Sequence, residues 1–352
     1  MTKALDIRDL DVVQLTDALK AMGEPGFRAK QIHQWLWQKG ARSFEEMTNL
    51  SKPLREKLTE AFTFHVAKVH TAQHSKDGTI KVAFELHDGN KVEGVLIPTS
   101  SRTTACVSSQ VGCSLDCKFC ATGYLKRMRN LSAAEIFDQV WLINELALEH
   151  HGKRLDNIVY MGMGEPLANY SRVMKAVRTM IAPQPEGLGM SARGITVSTV
   201  GLVNGVEKLM EEGINCTLAI SLHTPDDELR DSLVPINNRF PVREILAAAD
   251  AYEKKTGRRY SIEYALIRDI NDQAWRADLL GRMLKNKNAH VNLIPLNPTP
   301  GSKWTASRAE DEAAFVEILE GYGVPVTVRD TRGREIDGAC GQLAASQIDN
   351  NA

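Results

Sequence analysis

Cys113, Cys117 and Cys120 stand close together in the run VGCSLDCKFCATG. Thiolate sulfurs at this spacing can converge on one metal centre, and a chain expected in reducing cytosol gains little from disulfides. Structural zinc would ask for a fourth ligand, usually from a second paired motif. Neither a second cysteine pair nor a His-x-His pairing follows. An iron–sulfur cluster held by three thiolates leaves one iron open, and an open iron can bind a substrate or cofactor. The loop is therefore expected to cradle such a cluster.

Other residues able to do chemistry are scattered along the chain. In MGMGEP, Met161 to Pro166, the glycines let a ligand approach the backbone, and Glu165 can accept hydrogen bonds from an ammonium group. Taken alone, a Gly-rich turn with a solvated Glu is the commoner reading of that motif. Cys216, inside the apolar run CTLAISL, is most simply a small core residue, and Cys106 in TTACVSS would by itself be read the same way. Cys340 differs: flanked by Gly338 and Gly341, it suits a loop that could reach into a site. Glu93 shares a strand face with Val95 and Ile97, which puts its carboxylate either at an exposed strand end or in a partly apolar pocket with a raised pKa. Lys126, Arg127 and Arg129 form a basic patch after the cysteine loop, as consistent with a solvated face as with RNA binding. The net charge of −1 gives no global pull on nucleic acid, so RNA contact must come from local patches of this kind.

The elements that must position these groups follow from pattern. A chain of 352 residues, 43% hydrophobic and 25% charged, suits a globular protein with one large and one small domain or two medium ones. The start MTKALDIRDLD lacks the apolar stretch of a secretory signal, and no apolar run is long enough to span a bilayer, so a cytoplasmic protein with no membrane partner is expected. Residues 1–62 read as three short helices broken by Gly/Pro signals, an N-terminal helical module. Residues 66–100 alternate apolar and polar around Asp77-Gly78 and Asp88-Gly89, an antiparallel meander. From 103 to 335 strand-like segments (TTACVSS, DNIVYMG, GITVSTVG, NCTLAISLH, YSIEYALI, HVNLIPLN) alternate with helical ones, which predicts parallel βα units. One of those helices begins at a Ser132/Glu135 capping box and ends at Gly152. The fold class is α/β: a partial (βα)6 barrel with a small N-terminal helical domain and an antiparallel β extension. Ligands in such barrels sit in the loops after the strand carboxyl ends, where the cysteine loop falls. Residues 336–352 form a C-terminal segment carrying Cys340.

The spacing CxxxCxxC with Phe119 before the last cysteine resembles the radical S-adenosylmethionine (SAM) superfamily. That resemblance implies a [4Fe-4S] cluster on Cys113, Cys117 and Cys120 whose open iron chelates SAM and cleaves it reductively. It further implies that Gly164 and Glu165 contact the SAM amino group, and that Ser198, Ser221, Leu222, His223 and Asn297 line the SAM site. Without it, a lone strand-end histidine such as His223 is more often a satisfied polar residue. The strand EGVLIP, CVSSQVGC with the cysteines that follow, MGMGEP, STVG, SLH and DGACGQL together resemble the RlmN family of dual-specificity RNA adenine-C2 methyltransferases, over nearly the whole chain. The family resemblance implies that Cys340 carries the methyl group as S-methylcysteine, that Glu93 is the proton acceptor, and that Cys106 resolves the product through a transient disulfide with Cys340. It also implies two SAM per turnover, 23S rRNA and tRNA as substrates, and an electron donor such as flavodoxin. The rivals are a paralogous C8-specific rRNA adenine methyltransferase, a radical SAM enzyme acting on a peptide and, from another class, a non-catalytic zinc-stabilised RNA-binding protein.

Overall fold

The computed structural model describes residues 5–125, 129–299 and 302–343. Helices α1 (Val12–Ala21), α2 (Arg28–Trp37) and α3 (Lys52–Ala61) form in the expected N-terminal segments. Asp11 and Gln14 close a capping box at α1, while Ser51 caps α3 with a proline in its first turn. Their apolar faces bury Leu15, Leu19, Ile32, Leu36, Leu54 and Leu58. A buried charge triad ties this module to the barrel: Arg8 lies 3.2 Å from Asp6 and 2.7 Å from Asp138. Asp6 and Asp138 also accept the backbone amides of His65 and Ala67, at 2.8 and 2.9 Å. Burial alone would push the Asp6 carboxyl up, but the Arg8 guanidinium and the Arg8 and His65 amides outweigh it and hold it below the usual range.

Strands β1 (Lys68–His74), β2 (Ile80–Glu85) and β3 (Lys91–Pro98) make the antiparallel meander. β3 pairs antiparallel with β4 (Thr103–Cys106), so the extension and the barrel share one sheet. A short ribbon, β5 (Gln110–Val111) with β6 (Arg129–Asn130), brackets the cysteine loop. The chain then alternates: α4 (Ala133–His151), β7 (Asn157–Tyr160), α5 (Tyr170–Ile181), β8 (Ile195–Thr199), α6 (Val203–Glu211), β9 (Thr217–Ser221), α7 (Asp227–Leu233), α8 (Val242–Thr256), β10 (Tyr260–Leu266), α9 (Ala274–Leu284), β11 (Ala289–Pro295), α10 (Ala309–Gly321) and β12 (Val326–Val328). The sheet order is β1-β2-β3-β4-β7-β8-β9-β10-β11-β12, parallel from β4 onward. The six expected barrel strands are present, and β12 extends them. As expected, α4 opens on the reciprocal Ser132/Glu135 box and closes on Gly152 at φ 64°. Strand residues such as Val197, Ile220, Ile262 and Val291 are buried in one core with helix residues such as Val177, Leu209, Leu246 and Leu280. This packing fixes the strand carboxyl ends, from which the site is built.

Candidate active site

The loop after β4 holds its cysteines through backbone contacts. Cys113 donates its amide to the Leu125 carbonyl (3.2 Å), Cys120 to Cys117 (3.2 Å), and Lys118 to Leu233 at the end of α7 (3.0 Å). Gly123 packs so closely that a Cβ there would lie 2.5 Å from the Cys117 carbonyl oxygen. Burial pushes the Cys113 thiol up to about 11 and Cys117 well above its usual value, and the neighbouring cysteines add to both shifts. Crowded thiols that resist ionising one beside another suit a cationic centre, which would favour all three thiolates. Among the described residues no three His, Cys, Asp or Glu side chains converge as the shell of a single metal ion.

Beside this loop the strand carboxyl ends enclose a cleft. Of the residues expected to hold SAM, Gly164, Glu165, Ser198, Ser221, His223 and Asn297 line it together with the three cysteines. Leu222 does not, because its side chain is fully buried in the core. Its carbonyl accepts instead from Arg230 Nε at 2.9 Å. Glu165 is 3% exposed, and burial pushes its carboxyl up to about 7 although it accepts the amides of Val200 (3.0 Å) and Leu167 (2.9 Å). The Thr199 hydroxyl also bonds this carboxyl, so three protein donors reach its two oxygens and leave lone-pair capacity for one more. Gly164, at φ 92°, abuts Gln110, whose Oε1 accepts the Glu165 amide at 2.9 Å; a Cβ at Gly164 would sit 2.5 Å from that of Gln110. Ser198 and Ser221 share a hydroxyl hydrogen bond of 3.2 Å across β8 and β9. His223 Nδ1 accepts the Ala265 amide (3.0 Å), leaving the proton of the neutral ring on Nε2. Burial, with Arg230 nearby, lowers that imidazole to about 3, so it stays neutral at the cleft wall. His223 is thus both a satisfied polar residue and a cleft residue.

Cys340 is brought to the same cleft from the far end of the chain. Asn297 Nδ2 donates to its carbonyl (3.1 Å), Arg329 Nη1 lies 3.2 Å from its sulfur, and Gln342 donates to Pro298 (2.8 Å). The Ala121 amide donates to Gly341 (2.8 Å) and the Thr122 hydroxyl to Leu343 (3.0 Å), which stitches this segment onto the cysteine loop. Upstream, the β1–β2 turn clasps the approach. Asp77 accepts the Gly333 amide (3.0 Å), and Glu335 accepts from the Lys76 amide (2.7 Å) and the Ser75 hydroxyl (3.2 Å). Cys340 also lines a second cavity with Cys106, Met161 and Arg329. Cys106, which sequence alone would put in the core, is 6% exposed and faces this cavity. Burial and then the nearby Cys340 push its thiol up to about 12, against the pull of Arg329. Cys216 is fully buried in the core, as expected.

Glu93 does not line either cavity. It is 1% exposed and lies 3.2 Å from Lys81 Nζ, itself 2% exposed, at ion-pair distance. Neither an exposed strand end nor an apolar pocket describes that setting. The register nevertheless keeps it near the cysteines: Val95 pairs with both Lys81 and Cys106, so Glu93, two residues along β3, shares their face. Of the basic patch, Lys126 and Arg127 lie outside the described residues. Arg129 grips Glu135 with both terminal nitrogens (2.8 Å each) and Asp88 with Nε (2.6 Å), so it orders the loop from within. Sequence reasoning missed Arg230 and Arg329. Arg230 is fully buried and ties the carbonyls of Val200, Ser221 and Leu222 together. Nothing in the local sequence marks either arginine, because their partners are distant in the chain.

Comparisons with known proteins agree with this geometry. Residues 5–64 match the model of the ribosomal RNA large subunit methyltransferase N-terminal domain, and residues 107–279 that of the radical SAM superfamily. The chain is 56% identical over 348 residues to the probable dual-specificity RNA methyltransferase RlmN of Streptomyces griseus, covering 97% of this chain and 94% of that one. It is also 56% identical over 345 residues to the protein of the same name from Thermobifida fusca, with the same coverage. A crystal structure of a radical SAM methyltransferase from Sphaerobacter thermophilus superposes with a TM-score of 0.91 at 44% identity, covering 97% of this chain and 99% of that one.

Proposed function

This chain belongs to the RlmN family of radical SAM RNA methyltransferases, and from that membership we propose that it installs a methyl group on C2 of adenosine through Cys340, in 23S rRNA at the peptidyl transferase centre and in tRNA beside the anticodon. Its cofactors are a [4Fe-4S] cluster, which Cys113, Cys117 and Cys120 would hold, and SAM, which the cleft from Gly164 to Asn297 would hold. Bound together there, and supplied with an electron by a carrier such as flavodoxin, they would supply carbon-centred radical chemistry. Such chemistry is needed because adenine C2 is an electron-poor amidine carbon that cannot attack the SAM methyl as a nitrogen or oxygen nucleophile would.

The chain's own residues divide the work. Cys340 sulfur would take a methyl group from one SAM by displacement; once a hydrogen atom of that methyl has passed to the carbon-centred radical, its carbon would bond to C2, linking RNA and protein covalently, and the adduct would give up one electron to the redox centre that supplied it. Glu93 accepts the proton lost from C2. Cys106 thiolate then attacks the Cys340 sulfur: an S–S bond forms, the S–C bond breaks with its electron pair on carbon, and that carbon takes a proton to become the C2 methyl. Reaching C2 requires an unstacked base, which a loop in folded RNA offers.

The observation that carries this reading is Cys340 itself, which lines both the cysteine cleft and the cavity shared with Cys106. Mass spectrometry of the Cys340 peptide from protein purified with its native cluster tests it. S-methylation of Cys340 is expected; an unmethylated residue under every SAM-replete condition refutes the route. Digestion of product RNA should yield 2-methyladenosine, and an 8-methyl product would overturn the regiochemistry.

A further inference from the structure

The opposite, N-terminal end of the barrel opens into a cavity of about 730 Å³, which shares Met161, Glu263 and Arg329 with the cysteine cleft along the barrel interior. Arginines stand where the strands enter: Arg102 directly before β4, Arg193 before β8, and Arg258 and Arg259 directly before β10. With Arg329 and Arg332 from the segment after β12, six arginines share the wall with two carboxylates, Glu263 and Asp330. Threonine and serine hydroxyls of the strand interiors line the same space.

Three of these guanidinium groups, on Arg102, Arg193 and Arg259, have no hydrogen-bond or ion-pair partner among the described residues. Arg258 donates to the Thr217 hydroxyl at 2.8 Å, but its Nε is buried with no partner among the described residues, as is Oε2 of Glu263 on the same wall. A buried donor left unpaired costs free energy that a bound acceptor would recover. The volume falls within the range of small-ligand pockets.

We propose that this N-terminal mouth is a binding site for a phosphate-bearing anion, held by Arg102, Arg193, Arg258 and Arg259, none of which lines the methyltransferase cleft at the other end of the barrel. Forked guanidinium donors match tetrahedral phosphate oxygens in pairs, and several converging arginines favour more than one phosphate group. The strands between the two ends run four to seven residues, so the arginines at the mouth stand about 15–20 Å from the cysteine loop, with Arg329 lying between them and reaching the Cys340 sulfur. The phosphates come from a free polyphosphate-type anion or from an RNA backbone, and the test separates these sources.

Titration calorimetry of the full-length holoprotein with inorganic tripolyphosphate should show one binding event per chain. In Arg193→Gln/Arg259→Gln, which alters only exposed side chains at the mouth, the affinity should fall about tenfold or more. The corresponding double lysine variant, which keeps the charge but not the fork, should retain part of it. Affinity for a substrate RNA hairpin, and its salt dependence, is measured on the same variants. Tripolyphosphate loss with unchanged RNA affinity assigns the site to a free anion; a matching fall in RNA affinity and salt slope assigns it to the RNA backbone. Tripolyphosphate binding unaltered by the substitutions overturns the site, as does its absence from the parent protein when RNA affinity is also unaltered.

Discussion

The clasp between the β1–β2 turn and the segment leading to Cys340 should be removable without touching the cleft. Asp77→Ala deletes the acceptor for the Gly333 amide, and Glu335→Ala deletes the acceptor for the Lys76 amide and the Ser75 hydroxyl. A hydrogen bond to a charged group contributes about 1.5–3 kcal/mol when shielded, and these are partly exposed. The double variant should therefore lose about 2–3 kcal/mol of local stability, raising the open fraction of this segment about 30- to 150-fold. Hydrogen exchange reads this directly, since faster exchange is expected at the amides of Gly333 and Gly338, the latter bonded to the Gly333 carbonyl. Exchange in residues 341–343 should change little, because Asn297, Ala121 and Thr122 hold that stretch independently. The reasoning fails if Gly333 exchanges at the parent rate, or if the acceleration spreads evenly to residue 343.

Three further outcomes are expected. Arg230→Met leaves the carbonyls of Val200, Ser221 and Leu222 without their donor, so denaturant unfolding should report a loss of about 3–5 kcal/mol, and a loss under 1 kcal/mol would mean those carbonyls are satisfied otherwise. Asp138→Asn breaks a buried pair that joins the helical module to the barrel and should cost about 2–4 kcal/mol, read as a lowered melting temperature and earlier proteolysis near residue 65; unchanged proteolysis would show that apolar packing alone holds the module. Burial raises the Asp77 carboxyl, but hydrogen bonds from Thr79, Gly333 and Ser75 outweigh it and lower it to about 2. A depressed carboxyl stabilises the folded form above its unfolded value near 4 and loses that contribution as pH falls toward 2. Gly333 exchange, corrected for intrinsic rate, should thus accelerate between pH 4 and pH 2 in the parent protein and show no such step in Asp77→Asn.

Local patterns foretold much of this molecule. The three-cysteine loop, the Asp-Gly turns, the Ser132/Glu135 box and the six apolar strand runs are short-range signals, and each formed where expected. The site's support was not legible in the same way. Arg230 and Arg329 act through carbonyls and a sulfur that only tertiary folding brings near, and Glu93 meets Lys81 only because β2 and β3 pair in one particular register. Leu222 shows the converse: its position beside Ser221 and His223 says nothing of its facing the core, because a strand turns successive side chains to opposite sides. Arg129 shows a further limit, since a basic run in sequence does not reveal that a carboxylate six residues on already occupies one of its cations.

Residues 341 and 343 close against residues 121 and 122, more than two hundred positions earlier in the chain. During synthesis the three-cysteine loop leaves the ribosome long before the segment that closes against it. A nascent chain stopped short of Cys340 already carries Cys113, Cys117 and Cys120 but lacks the bonds that Gly341 and Leu343 make to their loop. The order of translation therefore leaves an interval in which this loop stands without its C-terminal partner, before the arriving segment closes on it and brings Cys340 to the cleft.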